Sequence, residues 1–227
     1  MSQANPSPPP SHTLPDVIDL LVGIEPGDPL DTIRRHRLQA RTHAQESYRA
    51  LFAPTAPAPG TVTLAERLAV AAFVAGLHQQ PDAAAFYAAA LVAQDAGAGQ
   101  ASAIAAEVSR GAAQGPYGHY PAGPLSRENT DGPAYAVGEA QRAVLGARLS
   151  AGLAHAHLLT FHPRDASPEA LQVLLDTGWS ATDIVILSQL VAFLSFQIRV
   201  VVGLRLLAAH PAPAASSSTP HTAEAQP

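Results

Sequence analysis

The chain has 227 residues, of which 47% are hydrophobic and 14% are charged, and its formal net charge is -5. This length supports one good hydrophobic core, and the low charge leaves no basic surface for phosphates, which excludes nucleic acid as a partner. The absence of cysteine excludes disulfides, thiolate metal sites and a cysteine nucleophile.

Both ends of the chain are rich in Pro, Ser, Ala and Thr, and we expect them to be disordered. Residues 1–13 and 211–227 hold too little apolar side chain to offset the entropy of ordering. Met1 to Pro10 carries no Lys or Arg, so it lacks the basic start of a signal peptide. A cytoplasmic protein with one domain over residues 14–210 is therefore expected.

Helical periodicity and capping residues predict a series of helices and no strand. No stretch alternates with a period of two, so the predicted class is all-α. In chain order, the predicted helices are Asp16 to Leu21, Pro29 to Phe52, Thr63 to His78, Pro81 to about Gln94, Gln100 to Ala113, Glu139 to Leu159, Ser167 to Asp176, and a long last helix from Ser180.

The second helix, Pro29 to Phe52, is predicted to be continuous and amphipathic. Asp28 before Pro29 fits an N-cap followed by a first-turn proline. The residues expected to face inward are Ile33, Leu38, Tyr48, Leu51 and Phe52.

A long segment without periodicity, Gly115 to Ala136, is dense in Pro and Gly and holds three tyrosines. A loop of this length inside a compact domain is either functional or disordered, and its tyrosines favour order. Two interpretations stay open, a lid over a substrate site and an arm that packs on a neighbouring subunit.

One helical pattern occurs twice, with a constant offset of 117 residues. Thr63 with Glu66 and Ser180 with Asp183 each form a capping box, and Val-Ala follows eight and nine residues after each acid. The offset predicts a duplicated helical unit, with repeat 1 at about 29–113, the loop at 115–136 and repeat 2 at about 137–208.

The segment Ile184 to Ala209 is the most apolar part of the chain. Gln189, Gln197, Arg199 and Arg205 interrupt it, so its uninterrupted apolar run is shorter than the roughly 20 residues of a bilayer span. A helix that is apolar on nearly every side and not in a membrane is buried in a core or between subunits. We expect a homo-oligomer joined through Ser180 to Leu207.

Two segments resemble the carboxymuconolactone decarboxylase and AhpD-like superfamily. The segment GWSATDIVILSQLVAFLSFQIRVVVGL, Gly178 to Leu204, is similar to the C-terminal repeat of its peroxidase-related proteins. The segment TLAERLAVAAFVAGLHQQPDAAAFY, Thr63 to Tyr87, resembles its active-site helix pair. The resemblance implies an AhpD-like bundle and trimers or hexamers.

Redox members of that superfamily use a Cys-x-x-Cys pair with a Glu and His relay. Counted from Glu66, the two thiol positions fall on Gln80 and Ala83, and the distal histidine falls on Tyr87. Neither an amide nor a methyl group forms a thiolate. The resemblance therefore implies a branch without the thiol mechanism, although a label of alkylhydroperoxidase would follow from similarity alone.

Three residues are candidate catalytic groups, and each has a structural alternative. Glu66 is a general base if its helix start faces a pocket, and otherwise the acid of the capping box. His78 is an acid or base near the vacant thiol position, or a histidine that favours a helix C-terminus. Tyr87 donates a proton to a bound anion, or packs as an ordinary core aromatic residue.

Gln80, Gln197 and Arg199 are the candidate substrate-binding residues. Gln197 and Arg199 line a polar pocket or fix the register of a subunit interface. The histidines His155, His157 and His162 are not expected to hold a metal, because helix positions two apart point to different faces.

These residues leave three hypotheses for function, none of which needs a cofactor. The first is a proton-transfer enzyme that acts on a small organic acid or lactone. The second is a non-catalytic binding or partner subunit, paired with a relative that retains its cysteines. The third, a thiol-dependent peroxidase, is contradicted by the absence of cysteine.

Overall fold

A computed structural model of the chain describes residues 15–54, 60–95 and 97–210, so both predicted tails lie outside the described residues. Over these ranges the secondary structure is helical, with no β-strand. The predicted all-α class is confirmed. The helices are α1 (Val17–Val22), α2 (Pro29–His36), α3 (Leu38–Phe52), α4 (Leu64–Leu77), α5 (Pro81–Val92), α6 (Gly97–Arg110), α7 (Glu139–Phe161), α8 (Pro168–Asp176) and α9 (Ala181–Ala209), with short 3-10 segments at Pro124–Glu128 and Pro163–Asp165.

The predicted helix Pro29 to Phe52 is wrong as one element, because the chain breaks at Arg37 into α2 and α3. The reason is a cluster of charges that α2 buries in place of apolar side chains. Arg34 donates to Asp16 at 2.7 Å, and Arg41 on α3 donates to Asp31 at 3.0 Å. Breaking the helix lets both arginines reach carboxylates on α1 and α2.

The same charge cluster overturns part of the predicted inward face. Ile33 and Leu38 are 43% and 64% exposed, whereas Phe52 is buried as predicted. The side chain of Asp28 does not cap α2, since it accepts a hydrogen bond from the backbone N–H of Glu25 at 2.9 Å.

Helix α4 is the centre of the core, and it packs against α5, α6, α7 and α9. Its residues from Leu68 to Ala75 are all buried. Small residues on α4 let neighbouring helices approach closely, since a Cβ added at Gly76 would lie 2.5 Å from Val108 of α6. Every helix except α2 contributes to the same hydrophobic cluster.

Both predicted capping boxes are present, and they lie close together. Thr63 and Glu66 bond reciprocally at the start of α4, as do Ser180 and Asp183 at the start of α9. Arg148 of α7 donates to Glu66 at 2.8 Å and to Asp183 at 3.4 Å. The two helices therefore start side by side, while their origin by duplication stays a prediction.

Helix α9 is long and apolar enough to cross a bilayer by length and composition. Half of its most apolar stretch is buried inside the protein. The core helix of a soluble protein meets the same criterion, so this property alone does not indicate a membrane span.

The loop 115–136 packs on its own chain. The backbone N–H of Tyr117 bonds to the carbonyl of Phe161, and that of His119 bonds to the Asp165 carboxylate at 3.0 Å. Arg164 lies 4.5 Å from the centre of the Tyr120 ring. The loop thereby covers the junction between α7 and α8.

Candidate functional site

A cavity of about 660 Å³ lies where the end of α4, the middle of α9 and the last turns of α7 meet. We call it the Arg199 cavity. Apolar side chains, among them Val191 and Phe161, form part of its wall. Its polar side chains are His78, Gln114, Thr160, Ser188, Ser195 and Arg199.

Helix α9 supplies three of these polar groups from one face. Ser188, Ser195 and Arg199 are separated by seven and four residues, which places them on the same side of a helix. His78 meets this face because α4 and α9 start together and run in the same direction. The pair His78 and Ser195 is separated by 117 residues, which is the offset between the two capping boxes.

His78 forms the C-cap of α4, and its backbone N–H bonds to the carbonyl of Val74. Its Nε2 atom lies 3.3 Å from the hydroxyl oxygen of Ser195. Burial lowers the pKa of His78 from its ordinary value near 6.5, and the charge of Arg199 lowers it further. The imidazole is therefore neutral at pH 7 and is able to accept a proton.

Arg199 is the one charged residue among the described residues that line the cavity. Its Nη1 atom donates to the backbone carbonyl of Ser195 at 3.1 Å. Within the described part of the chain, no carboxylate forms an ion pair with this guanidinium. The remaining donors are available to a carboxylate or another planar anion.

Glu66 lies outside this cavity. One carboxylate oxygen accepts from the Thr63 backbone at 2.8 Å, and the other accepts from Arg148 at 2.8 Å. His78 is twelve residues further along α4, which is about 18 Å at 1.5 Å per residue. A small substrate held by His78 cannot contact Glu66, so the geometry favours the structural alternative for this residue.

Tyr87 and Gln197 also lie outside the cavity and bond to each other in the core. The Tyr87 hydroxyl donates to Oε1 of Gln197 at 2.7 Å, and both side chains are fully buried. Burial raises the pKa of Tyr87 far above its ordinary value. Tyr87 also stacks on Phe52 with 5.2 Å between ring centres, which is the packing role that the sequence left open.

Gln80 does not line the Arg199 cavity either. It lies at the N-cap of α5, half-buried, and the nearest bond of its amide is a long contact of 3.5 Å to the carbonyl of His78. Of the six predicted site residues, the structure brings only His78 and Arg199 together in one cavity.

The three histidines near the end of α7 line a second, smaller cavity of about 420 Å³, which we call the His155 cleft. We expected His155 and His157 to face apart, but segment 132–135 and helix α8 enclose both rings. Among the residues that the structure describes, no three His, Cys, Asp or Glu side chains are arranged to hold a metal ion.

Sequence reasoning missed Ser188 and Ser195 as cavity residues. Their spacing from Arg199 on a helix that is otherwise apolar was a usable pattern. His78 and Ser195 are separated by the same offset of 117 residues, which could have indicated their pairing once α4 and α9 are placed side by side.

Comparisons of the chain with protein-family models, curated proteins and solved structures gave no match. Membership of the AhpD-like superfamily therefore stays a prediction from the residues of segments 63–87 and 178–204.

Proposed function

We propose that the Arg199 cavity binds a small organic acid or lactone and that His78 transfers a proton on the bound molecule. The observation that supports this proposal is an exposed arginine without a carboxylate partner beside a half-buried neutral histidine, both on the wall of an open cavity of about 660 Å³. Cavities of this size accommodate small-molecule ligands.

The chemistry requires three groups. Arg199 holds the carboxylate of an oxo acid, or the oxyanion that develops on a lactone or enolate. His78 takes a proton from the carbon next to the carbonyl and returns it to the same or a neighbouring carbon. Ser195 orients the imidazole through the hydrogen bond to Nε2.

Two covalent mechanisms lack their nucleophile in this sequence. The chain has no cysteine and no lysine, so neither a thiolate nor a Schiff base can form. Proton transfer by a histidine needs neither group.

Binding is tested by titrating the protein with levulinate, a small oxo acid, and with its uncharged methyl ester. We expect Arg199→Gln to weaken levulinate binding about tenfold, because a charge-assisted hydrogen bond is lost. The matched control is Arg127→Gln, which removes an equal charge from an exposed position outside the cavity.

Binding of the methyl ester should change little in the Arg199→Gln variant. Equal affinities of the wild type and Arg199→Gln for levulinate and longer oxo acids would contradict the assignment of Arg199.

A second candidate is a non-catalytic binding or partner subunit, which the engagement of Glu66 in the cap and with Arg148 favours. In that case the cavity holds its ligand without turnover, and the chemistry belongs to a relative that retains its cysteines. Binding without proton exchange on the ligand would distinguish this candidate from the first.

The outward face of α9 supports a homo-oligomer. Val185, Phe196 and Leu206 on this face are each about half exposed, at 55%, 47% and 57%. A cytoplasmic trimer or hexamer joined through α9 is the form we propose. Light scattering of the purified chain measures the subunit number, and a monomer would contradict this form.

A further inference from the structure

Two serines of α9 line the Arg199 cavity, and each hydroxyl oxygen lies 3.3 Å from Nε2 of a histidine. Ser188 is paired with His155, and Ser195 is paired with His78. A serine becomes a nucleophile when a neutral imidazole accepts its hydroxyl hydrogen. The two pairs differ in where that hydrogen goes, and this difference decides which serine is able to react.

Ser188 does not have the arrangement of a nucleophile. Its hydroxyl group donates to the backbone carbonyl of Ile184 at 2.8 Å, as serines in helices commonly do. It therefore accepts a hydrogen bond from Nε2–H of His155, whose side chain is buried. Since this nitrogen already carries a hydrogen, His155 does not act as a base for Ser188.

Ser195 has the arrangement that Ser188 lacks. Among the described residues, its hydroxyl group bonds only to Nε2 of His78, so its hydrogen is free to point to that nitrogen. Nε2 accepts this hydrogen when Nδ1 carries the ring hydrogen. Burial, followed by the charge of Arg199, lowers the pKa of His78 and keeps the ring neutral at pH 7. Both side chains are half-buried on the cavity wall, where a ligand is able to reach them.

Arg199 supplies a positive charge beside this serine. It lies one helical turn after Ser195, and its Nη1 atom donates to the Ser195 carbonyl at 3.1 Å. This bond holds the guanidinium next to Ser195, with its other N–H groups available. Attack by a serine on an ester creates an oxyanion, which N–H donors stabilise in the transition state. The apolar wall, with Val191 and Phe161, suits an acyl chain.

We propose that Ser195 is the nucleophile of an acyl-transfer reaction in the Arg199 cavity, which hydrolyses small carboxylic esters, lactones included. The inference rests on the cavity that the proposed function uses as its ligand site, but it does not require proton transfer at carbon. His78 is the base in both reactions, whereas only ester hydrolysis needs the hydroxyl group of Ser195 as a reactant.

The reaction has two steps and consumes one water molecule. In the first step, Oγ of Ser195 bonds to the carbonyl carbon and its proton passes to Nε2 of His78. The carbon–oxygen bond to the alcohol then breaks, and His78 returns the proton to the leaving oxygen. In the second step, water attacks the acyl group and His78 passes a proton from the water to Oγ of Ser195. The products are a carboxylic acid and an alcohol, and nothing is oxidised or reduced.

The test uses the full chain and 4-nitrophenyl acetate, which releases a coloured product when its acyl group is transferred. The chain has no lysine and no cysteine, so the two side chains that compete most strongly for this reagent are absent. We expect mass spectrometry after acid quenching to show an acetyl group on Ser195. Ser195→Ala should remove this acetyl group and lower the rate of ester hydrolysis at least about 100-fold.

The matched control is Ser109→Ala, which removes an exposed hydroxyl group outside the cavity and should keep the wild-type rate. A wild-type protein without an acetyl group on Ser195, or a Ser195→Ala protein that hydrolyses the ester at the wild-type rate, would overturn the inference. The wild-type labelling decides the matter even if Ser195→Ala fails to fold.

The same preparation separates this inference from the proposed function. Deuterium exchange into levulinate without acetylation of Ser195 would overturn the serine nucleophile alone. Acetylation of Ser195 without deuterium exchange would support the nucleophile and contradict only proton transfer at carbon.

Discussion

The carboxylate of Glu66 stabilises the fold through two contacts that a catalytic base could not keep while it moves a proton. It accepts from the backbone N–H of Thr63, the N-cap of α4, and from Arg148, whose guanidinium also lies 4.3 Å from the centre of the Trp179 ring. The imidazole of His78 bonds to the Ser195 hydroxyl and, among the described residues, to no carboxylate. In the proposed mechanism the proton-transfer residue is thus His78, at the opposite end of the same helix.

Glu66→Gln separates these roles, because glutamine keeps the capping acceptor and loses the charge. We expect a loss of about 1 kcal/mol in the free energy of unfolding, since the pair with Arg148 is partly exposed. Levulinate binding should stay at the wild-type level. Urea denaturation measures the free energy of unfolding, and calorimetric titration measures the levulinate affinity. A folded Glu66→Gln protein that fails to bind levulinate would show that Glu66 belongs to the binding site.

At the scale of elements, the helices with strong end signals were predictable. The starts of α4, α8 and α9 follow from Thr63, Ser167 and Ser180, whose hydroxyls accept the expected backbone bonds. The break between α2 and α3 was not predictable, because buried ion pairs with α1 decide it. Such pairs between separate elements leave no periodic pattern in the sequence.

The candidate site was predictable only in part, for a similar reason. His78 and Arg199 stood out as polar residues in apolar helices, and the repeated pattern indicated that α4 and α9 are related. Which ends of these helices meet depends on packing across the core. Arg148 fixes this arrangement by joining the two capping acids, and its position on α7 gave no indication of that role.

At the scale of the whole molecule, three histidines are kept neutral by the fold. Burial is the largest cause of the lowered pKa of His78, His155 and His157. In the unfolded chain each takes up a proton near pH 6.5, whereas in the native protein each does so only at lower pH. The unfolded state therefore binds more protons as the pH falls below about 6.5.

We accordingly expect the free energy of unfolding to fall as the pH drops from about 6.5 through the lowered native pKa values, by at most about 1.4 kcal/mol per pH unit for each histidine. Well above pH 6.5, where neither state binds a proton at these groups, they contribute no slope. Urea denaturation at several pH values between 7.5 and 5.5 measures this pH dependence of the free energy of unfolding. His155→Leu should reduce the slope and His36→Asn, at an exposed position, should not. A stability that stays constant over this range would contradict the neutral state of the buried histidines.

The most direct test of the proposed function is deuterium exchange into levulinate in heavy water, followed by proton NMR. We predict that the protein accelerates exchange at the carbons next to the ketone, with a rate that falls as the pH drops through the lowered pKa of His78 and is flat well above it. His78→Gln should lower the rate at least about 100-fold, and Arg127→Gln should leave it unchanged. Exchange of levulinate and longer oxo acids no faster than without protein, or equally fast in His78→Gln, would contradict proton transfer in the Arg199 cavity.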